Sequence, residues 1–295
     1  MNIFENPIAQ NKKTQDGALK KATTLNTSQE IFEAYLLREN RIHEEEFEEL
    51  WKEDPVAYAN YAPRIIAKEK TDIEAMKRSD KYEKPENFAI VLENIFGDVL
   101  TRGKFLGDMP FKAIQLSEYD DKHMNGAHCD VVLEMQTEAG LLHLGIDLTT
   151  ASHPDSLNKK RDKCISGVKS GNFATVKYFK SEFADYMGEL DRIPVVIAGF
   201  DKDTVLDLCG AIGRNDDLSK HHAQFIVLEE IIHELGRLSA IAQLGSRDKD
   251  TAVATLEYYK EIFVGIAEKK KNLRTVETNA KVRTDKAYKF LTAYF

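Results

Sequence analysis

The most constraining feature of the chain is the stretch Ala127–Ala151, AHCDVVLEMQTEAGLLHLGIDLTTA. It reads as two short strands joined by the polar turn Thr137–Gly140, which is short enough for a hairpin. Side chains alternate along a strand. Asp130, Val132 and Glu134 therefore share one face of the first strand, opposite Val131, Leu133 and Met135. His143, Gly145, Asp147 and Thr149 share a face of the second, opposite Leu142, Leu144, Ile146 and Leu148. Pairing the two strands brings Asp130 and Asp147 onto one surface. Two converging carboxylates suit a divalent metal, whereas a half-solvated antiparallel sheet would carry the same acids as exposed residues. Both strands are more apolar than a plain surface hairpin requires. Glu134 and His143 lie on the acids' face and are candidates for extra ligands or a general base; otherwise they read as surface residues.

Helical patterns flank this centre. Glu86–Arg102 carries an apolar stripe of Phe88, Val91, Leu92, Ile95, Phe96 and Val99. Glu93 and Asp98 border that stripe, where a carboxylate can reach a neighbouring sheet. Phe111–Tyr119 alternates like a strand, and Asp120–Gly126 is a polar connection into the hairpin. After the hairpin, a helix from His153-Pro154 to about Lys169 puts Arg161 inside its apolar stripe and Lys160 beside it. Phe173–Phe179 and the β-branched Ile193–Phe200 are further strands. Helices at Thr204–Ile212, Ser219–Gln243, Asp250–Lys271 and Thr278–Tyr294 fill the C-terminal third. Those around Ile31–Leu36, over Glu44–Lys52 and over Val56–Arg78 form an N-terminal cap without catalytic spacing. The expected fold class is α/β, a small central mixed sheet flanked by helices with helical N- and C-terminal additions. Its expected parts are a flexible arm over 1–27, a helical cap over 28–84, an α/β core over 85–203 and a helical region over 204–295.

Composition narrows the class. Charged residues make up 31% of the 295 and hydrophobic ones 42%, and no apolar run is long enough to cross a bilayer. The N-terminal sequence lacks the basic-then-apolar order of a signal peptide. Cys129, Cys164 and Cys209 are widely spaced and form no CxxC, which points to a reduced, cytoplasmic setting with the cysteines as small core residues. A net charge of -8 is not the basic footprint of a nucleic-acid binder. The charge is uneven, acidic over His43–Asp54 and basic over Lys159–Lys180 and Lys269–Lys289. Such a dipolar surface can face phosphate, and ordinary solvated helix faces give the same counts. Glu230–Arg237 (EIIHELGR) has Arg237 where a zinc-protease helix needs its second histidine. His221 and His222 are expected to be exposed. No phosphate-cradling glycine loop and no GxSxG elbow is present.

The order helix, strand, strand–turn–strand, helix, strand, with an acid on each central strand, resembles the PD-(D/E)XK nuclease superfamily over residues 86–200. The resemblance implies a restriction-endonuclease-like core that cleaves phosphodiester bonds in DNA or RNA using Mg²⁺ or Mn²⁺. Asp130 matches the first strand acid, Asp147 in Ile146-Asp147-Leu148-Thr149 the second, and Glu93 the helix acid, all as metal ligands. Thr149 stands where the motif's lysine is usual, and it has no charge to stabilise a developing negative phosphorane. Cys129 stands where a leading proline is common. Families of this fold sometimes move the basic residue to the following helix, here Lys160, Lys163 or Arg161, and Lys160 is the choice from its place beside the apolar stripe. The expectation is a metal-dependent endonuclease or exonuclease-like protein acting on nucleic acid, with no membrane partner. The alternative is a catalytically inactive nuclease-fold scaffold that binds a protein partner through its helical regions. The missing lysine, the acidic charge and the helical additions suit that alternative. A third reading is an unrelated binding protein in which the aspartates are incidental.

Overall fold

The computed structural model describes residues 27–38, 40–79, 82, 85–102, 104–122, 126–150 and 154–293. Apart from Thr27, the expected arm over 1–27 lies outside the described residues. Helix α1 covers 27–36. A 3-10 turn at Glu44–Phe47 leads into α2 (Glu48–Glu53), α3 (Pro63–Lys77) and α4 (Asn87–Arg102). Then follow β1 (Phe111–Gln115), α5 (Glu118–Lys122), β2 (Val131–Thr137), β3 (Gly140–Thr149) and α6 (Pro154–Ser170). Strands β4 (Ala174–Lys180), β5 (Met187–Ile193) and β6 (Val195–Gly199) precede the C-terminal helices. These are α7 (Lys202–Gly213), α8 (Ala223–Gly245), α9 (Lys249–Lys270), α10 (Val276–Thr284) and α11 (Lys286–Thr292).

The architecture is α/β. A four-stranded mixed sheet in the order β1-β2-β3-β6 and a two-stranded sheet β4-β5 are flanked by helices. β2 runs antiparallel to both β1 and β3, and β6 runs parallel to β3 with Ile197 beside Asp147. The β2–β3 hairpin closes at Thr137 opposite Gly140. Gly140 has φ +119°, a conformation that strains any side-chain-bearing residue. At the other end of β3 the chains come so close that a Cβ on Gly199 would collide with the Thr149 carbonyl oxygen.

Period-2 alternation decides what each face of the sheet covers. Leu133, Met135, Leu144, Ile146 and Leu148 join Phe96, Leu208, Ile231 and Phe263 from the helices in the main core. The opposite face is covered too, because Ile114, Cys129 and Val132 pack beneath Val176, Phe179 and Ile193 of the second sheet. Burial on both faces is the physical reason that this hairpin is richer in apolar residues than a solvated one. The N-terminal helices add a separate aromatic cluster, in which Phe47, Tyr61, Ile66 and Ile73 pack on Tyr119 and Tyr178. Within it the Tyr61 hydroxyl donates to the Lys177 carbonyl at 2.9 Å, and Lys177 Nζ reaches Glu69 Oε1 at 2.6 Å. That ammonium lies 4.9 Å from the Tyr178 ring centre and 5.1 Å from that of Tyr119, a cation–π arrangement suited to a half-dry site.

Three boundaries differ from the sequence expectation. The strand expected over Ile193–Phe200 is interrupted by Pro194, which has no N–H for the ladder, so Ile193 ends β5 and β6 begins at Val195. β1 stops at Gln115, because Ser117 Oγ accepts from the Asp120 N–H at 3.3 Å and starts α5. The helix expected over Thr278–Tyr294 breaks at Asp285, where ψ turns to 128° and the carboxylate caps Tyr288 N–H at 2.9 Å. Among the described residues no helix is long and apolar enough to cross a membrane.

Candidate metal centre

Asp130 sits one residue ahead of β2 and is fixed by the backbone of β3. Its N–H donates to the Ile146 carbonyl at 2.9 Å, and its Oδ2 accepts the Leu148 N–H at 2.6 Å. With Val131 opposite Ile146, the ladder puts Asp130 alongside Asp147. Both acids are buried, 6% and 8% exposed. Helix α4 turns Glu93 toward them from one side and α5 turns Asp121 toward them from another. Glu93, Asp121 and Asp130 each offer a carboxylate oxygen within 4.8 Å of the others. The sequence-expected ligands thus divide. Glu93 and Asp130 come within 4.8 Å of each other, with Asp121 as their third member, and Asp147 lies outside that set, paired with a cation.

That cation is Lys160. Its ammonium forms an ion pair with Asp147 Oδ1 and donates to the Leu148 carbonyl at 2.8 Å. Two further cations enter the cluster. Arg41, in the chain between α1 and α2, places one guanidinium nitrogen 2.5 Å from Glu93 Oε2 and the other 2.8 Å from Asp121 Oδ2. Lys122 Nζ lies 2.8 Å from Asp121 Oδ2. Among the described residues Asp130 has no ion-pair partner. Burial, and then the neighbouring Glu93 and Asp121 charges, push its carboxyl well above the usual carboxylate range. Burial disfavours the Lys160 charge, but Asp147 and Asp130 outweigh it and hold the ammonium above its ordinary value. Arg41 is held up in the same way, with Asp121 and Glu93 overcoming its burial. Four carboxylates against three paired cations leave one negative charge to be met by a proton or by a further cation.

This donor set suits a hard divalent ion. Its ligand atoms are carboxylate oxygens, which Mg²⁺ and Mn²⁺ prefer, and they lie within 4.8 Å of one another, near enough to converge on one ion once the side chains draw in. Beside the cluster a cavity of about 680 Å³ is lined by Arg38, Arg41, Lys70, Lys77 and Lys122 as well as Glu93.

Other sequence candidates fall elsewhere. Arg161 turns away from the hairpin, donating to the Leu291 carbonyl at 2.9 Å and standing 3.5 Å from Glu234. Lys163 Nζ lies 3.3 Å from His128 Nδ1. Glu134 is neither a surface residue nor an extra ligand. It is 0% exposed and accepts Ser181 Oγ at 2.5 Å and the Glu182 N–H at 2.8 Å, with His143 Nε2 at 3.3 Å. The pair ties the hairpin to the loop after β4, about 13 Å along the strand from Asp130. His221 and His222, expected to be exposed, are instead packed into the fold beside Asp207, at 3.4 Å and 3.6 Å from its Oδ2. Burial lowers His222 to about 4, leaving it neutral. The Ala223 N–H donates to His221 Nδ1, which leaves the ring proton on Nε2, turned toward Asp207. Lys281 Nζ also sits 3.0 Å from that carboxylate, so this group is a histidine–carboxylate–lysine link between α7, α8 and α10, whose three ligand atoms likewise lie within 4.8 Å of one another.

Three members of the centre were missed in the sequence, Asp121, its neighbour Lys122, and Arg41. Asp121 had a usable signal, since Ser117-x-x-Asp120 is a capping-box spacing that marks a helix start. Arg41 had none, lying in a stretch without periodicity. No family model, curated protein or solved structure matches the chain.

Proposed function

We propose that the chain is a divalent-metal-dependent nuclease-like protein of the PD-(D/E)XK type, with a restriction-endonuclease-like core, hydrolysing phosphodiester bonds in DNA or RNA. The observation that carries this reading is the contact of Lys160 with Asp147 and the Leu148 carbonyl. It brings an ammonium from α6 to the second strand acid, at the side of the site where Thr149 leaves the strand without a charge. Further support comes from the order α4, β1, β2–β3, α6 around a mixed sheet, and from the lysine- and arginine-lined cavity beside Glu93.

In this reading Glu93, Asp121 and Asp130 hold the cation, with Asp147 next to them. A bound Mg²⁺ or Mn²⁺ supplies neutralisation of phosphate charge and a lowered pKa for coordinated water. The Leu148 N–H locks the Asp130 carboxylate in place, so this one ligand is already oriented for an ion. Lys160, held charged by its two carboxylate neighbours, serves as a fixed positive group facing the charge that develops on the phosphoryl oxygens, and not as a base. Arg38, Lys70 and Lys77 along the cavity are each paired with an acid, and a polyanionic backbone would compete with Asp98, Glu45, Glu74 and Glu118 for them.

The test is calorimetric titration of Mg²⁺ and Mn²⁺ into the parent and into Asp130→Asn, followed by cleavage assays on labelled DNA and RNA oligonucleotides. The parent should bind the ions and Asp130→Asn should not. Lys160→Met should keep ion binding while losing about 10²–10³-fold in kcat, the usual cost of one preorganised charge donor. A second reading, an inactive nuclease-fold scaffold, draws on Thr149 in the lysine's usual place and on the neutralisation of Glu93 and Asp121 by Arg41. If neither the parent nor Arg41→Ala binds either ion with an oligonucleotide present, and neither cleaves, that reading stands in front.

A further inference from the structure

We propose that Arg41 is an internal counter-ion that holds the acid cluster closed, its guanidinium filling the position between Glu93 and Asp121 that a divalent cation would take. The inference rests on the metal-centre reading above and concerns how that centre is kept from loading.

The geometry is specific to Arg41. Its fork spans two carboxylates that come from different helices, at 2.5 Å to Glu93 and 2.8 Å to Asp121, and its side chain is only 16% exposed. A divalent ion among the same oxygens would stand at contact distance from a full positive charge, so the ion and the guanidinium exclude each other. The segment that carries Arg41 is clamped to α4, the helix that also carries Glu93. Asn94 Nδ2 donates to the Tyr35 and Arg38 carbonyls, both at 2.9 Å, and the Tyr35 hydroxyl donates to Asp98 Oδ2 at 2.8 Å. Arg38 pairs with the same Asp98 oxygen at 2.5 Å. On the other side of Arg41, the Ile42 N–H donates to the Gln115 carbonyl of β1 at 3.4 Å. The cavity of about 680 Å³ that Arg41 also lines gives its side chain space to swing clear of the acids.

The experiment is Mn²⁺ titration, followed by the spin-resonance signal of the free ion, on the full chain, Arg41→Ala, Arg41→Lys and the Arg41→Ala/Asp130→Asn pair. Thermal midpoints are recorded with and without Mn²⁺. Arg41→Ala should bind Mn²⁺ at least about tenfold more tightly than the parent. Its midpoint should be lower than the parent's without the ion and should rise further when the ion is added. Arg41→Lys should fall between them, because an ammonium cannot span both carboxylates as a guanidinium does. The double variant should bind none. A purely structural arginine would lower the midpoint without improving affinity. If the parent binds Mn²⁺ and either single variant binds it equally or more weakly, the plug is overturned while the metal centre stands. Arg41→Lys alone decides this should Arg41→Ala fail to fold. If no variant binds Mn²⁺, both the plug and the metal centre are overturned.

Discussion

The electrostatics of the site turn on Asp130, the one carboxylate of the four that has no cation against it among the described residues. Its pKa is raised by burial and by Glu93 and Asp121, and a raised carboxylate pKa has a fixed sign in linkage. The folded state binds the proton more tightly than the unfolded chain. The contribution of Asp130 to ion-free stability is therefore greatest below its unfolded value and is lost as the pH rises through its folded value. Ion binding runs the other way, because the ligand must be ionised and each ion bound displaces a proton. Mn²⁺ affinity should accordingly rise by about tenfold per pH unit while Asp130 remains protonated in the free protein, then level off. Titration calorimetry in buffers of different ionisation enthalpy would read the released proton directly. A flat affinity with no proton released would mean that Asp130 is not among the ligands. Of the four residues that reading of the sequence placed here, Asp130 and Asp147 were legible because strand alternation fixes direction from spacing, whereas Glu93, rather than Asp98, and Lys160 came from the family resemblance together with their places at the border of a helical stripe. Arg41 was not legible, because its direction depends on contacts of residues distant in sequence, such as Asn94 and Asp98.

At the scale of elements, the C-terminal helices are fastened to the sheet by two aspartates that cap each other's helix starts. Asp201 accepts the Thr204 N–H at 2.9 Å and the Lys286 N–H at 3.0 Å. Asp285 accepts the Asp201 N–H at 3.0 Å, the Thr204 hydroxyl at 2.6 Å and the Tyr288 N–H at 2.9 Å. With Asp285 only 2% exposed, Asp285→Ala leaves three donors without an acceptor where water cannot easily replace it. The expected cost is about 2–3 kcal/mol, seen as a lower urea midpoint at unchanged m. A change under about 0.5 kcal/mol would show that water takes over the caps. This link explains why one helix was expected over Thr278–Tyr294, where there are two: the apolar spacing continues across Asp285, and only its partner 84 residues earlier in the chain reveals a cap. β5 was illegible for another reason. In its sequence MGELDRI the exposed residues are Glu189, Asp191 and Arg192, not every second one, and its pairing with β4 is broken by register shifts, so period-2 alternation never develops.

Over the whole molecule, the helical cap and the α/β core are joined by packing of very unequal size. The main core threads α1, through Phe32 and Tyr35, and α4, α7, α8 and α9 onto the sheet, whereas the N-terminal segment Glu44–Lys77 packs on the small cluster around Tyr119 and Tyr178. Phe47 is the centre of that cluster, 0% exposed, with its ring 5.1 Å from Tyr178 and 5.4 Å from Tyr61. Phe47→Ala should cost about 3–5 kcal/mol locally, the usual price of emptying an aromatic site. Because this cluster is the apolar anchor of Glu44–Lys77, that loss should appear as faster amide exchange over Glu44–Lys77, with Ala223–Lys270 still protected. Arg41 reaches the acids from the chain just ahead of Glu44, so loosening the cap should also weaken its hold on Glu93 and Asp121. Phe47→Ala should then bind Mn²⁺ more tightly than the parent, although no acid and no counter-ion has been altered. Equal acceleration of exchange in α8 and α9 would instead mean that cap and core open as one cooperative unit. Unchanged Mn²⁺ affinity beside a loosened cap would mean that the α4 clamp through Asn94 and Asp98 alone keeps Arg41 in place.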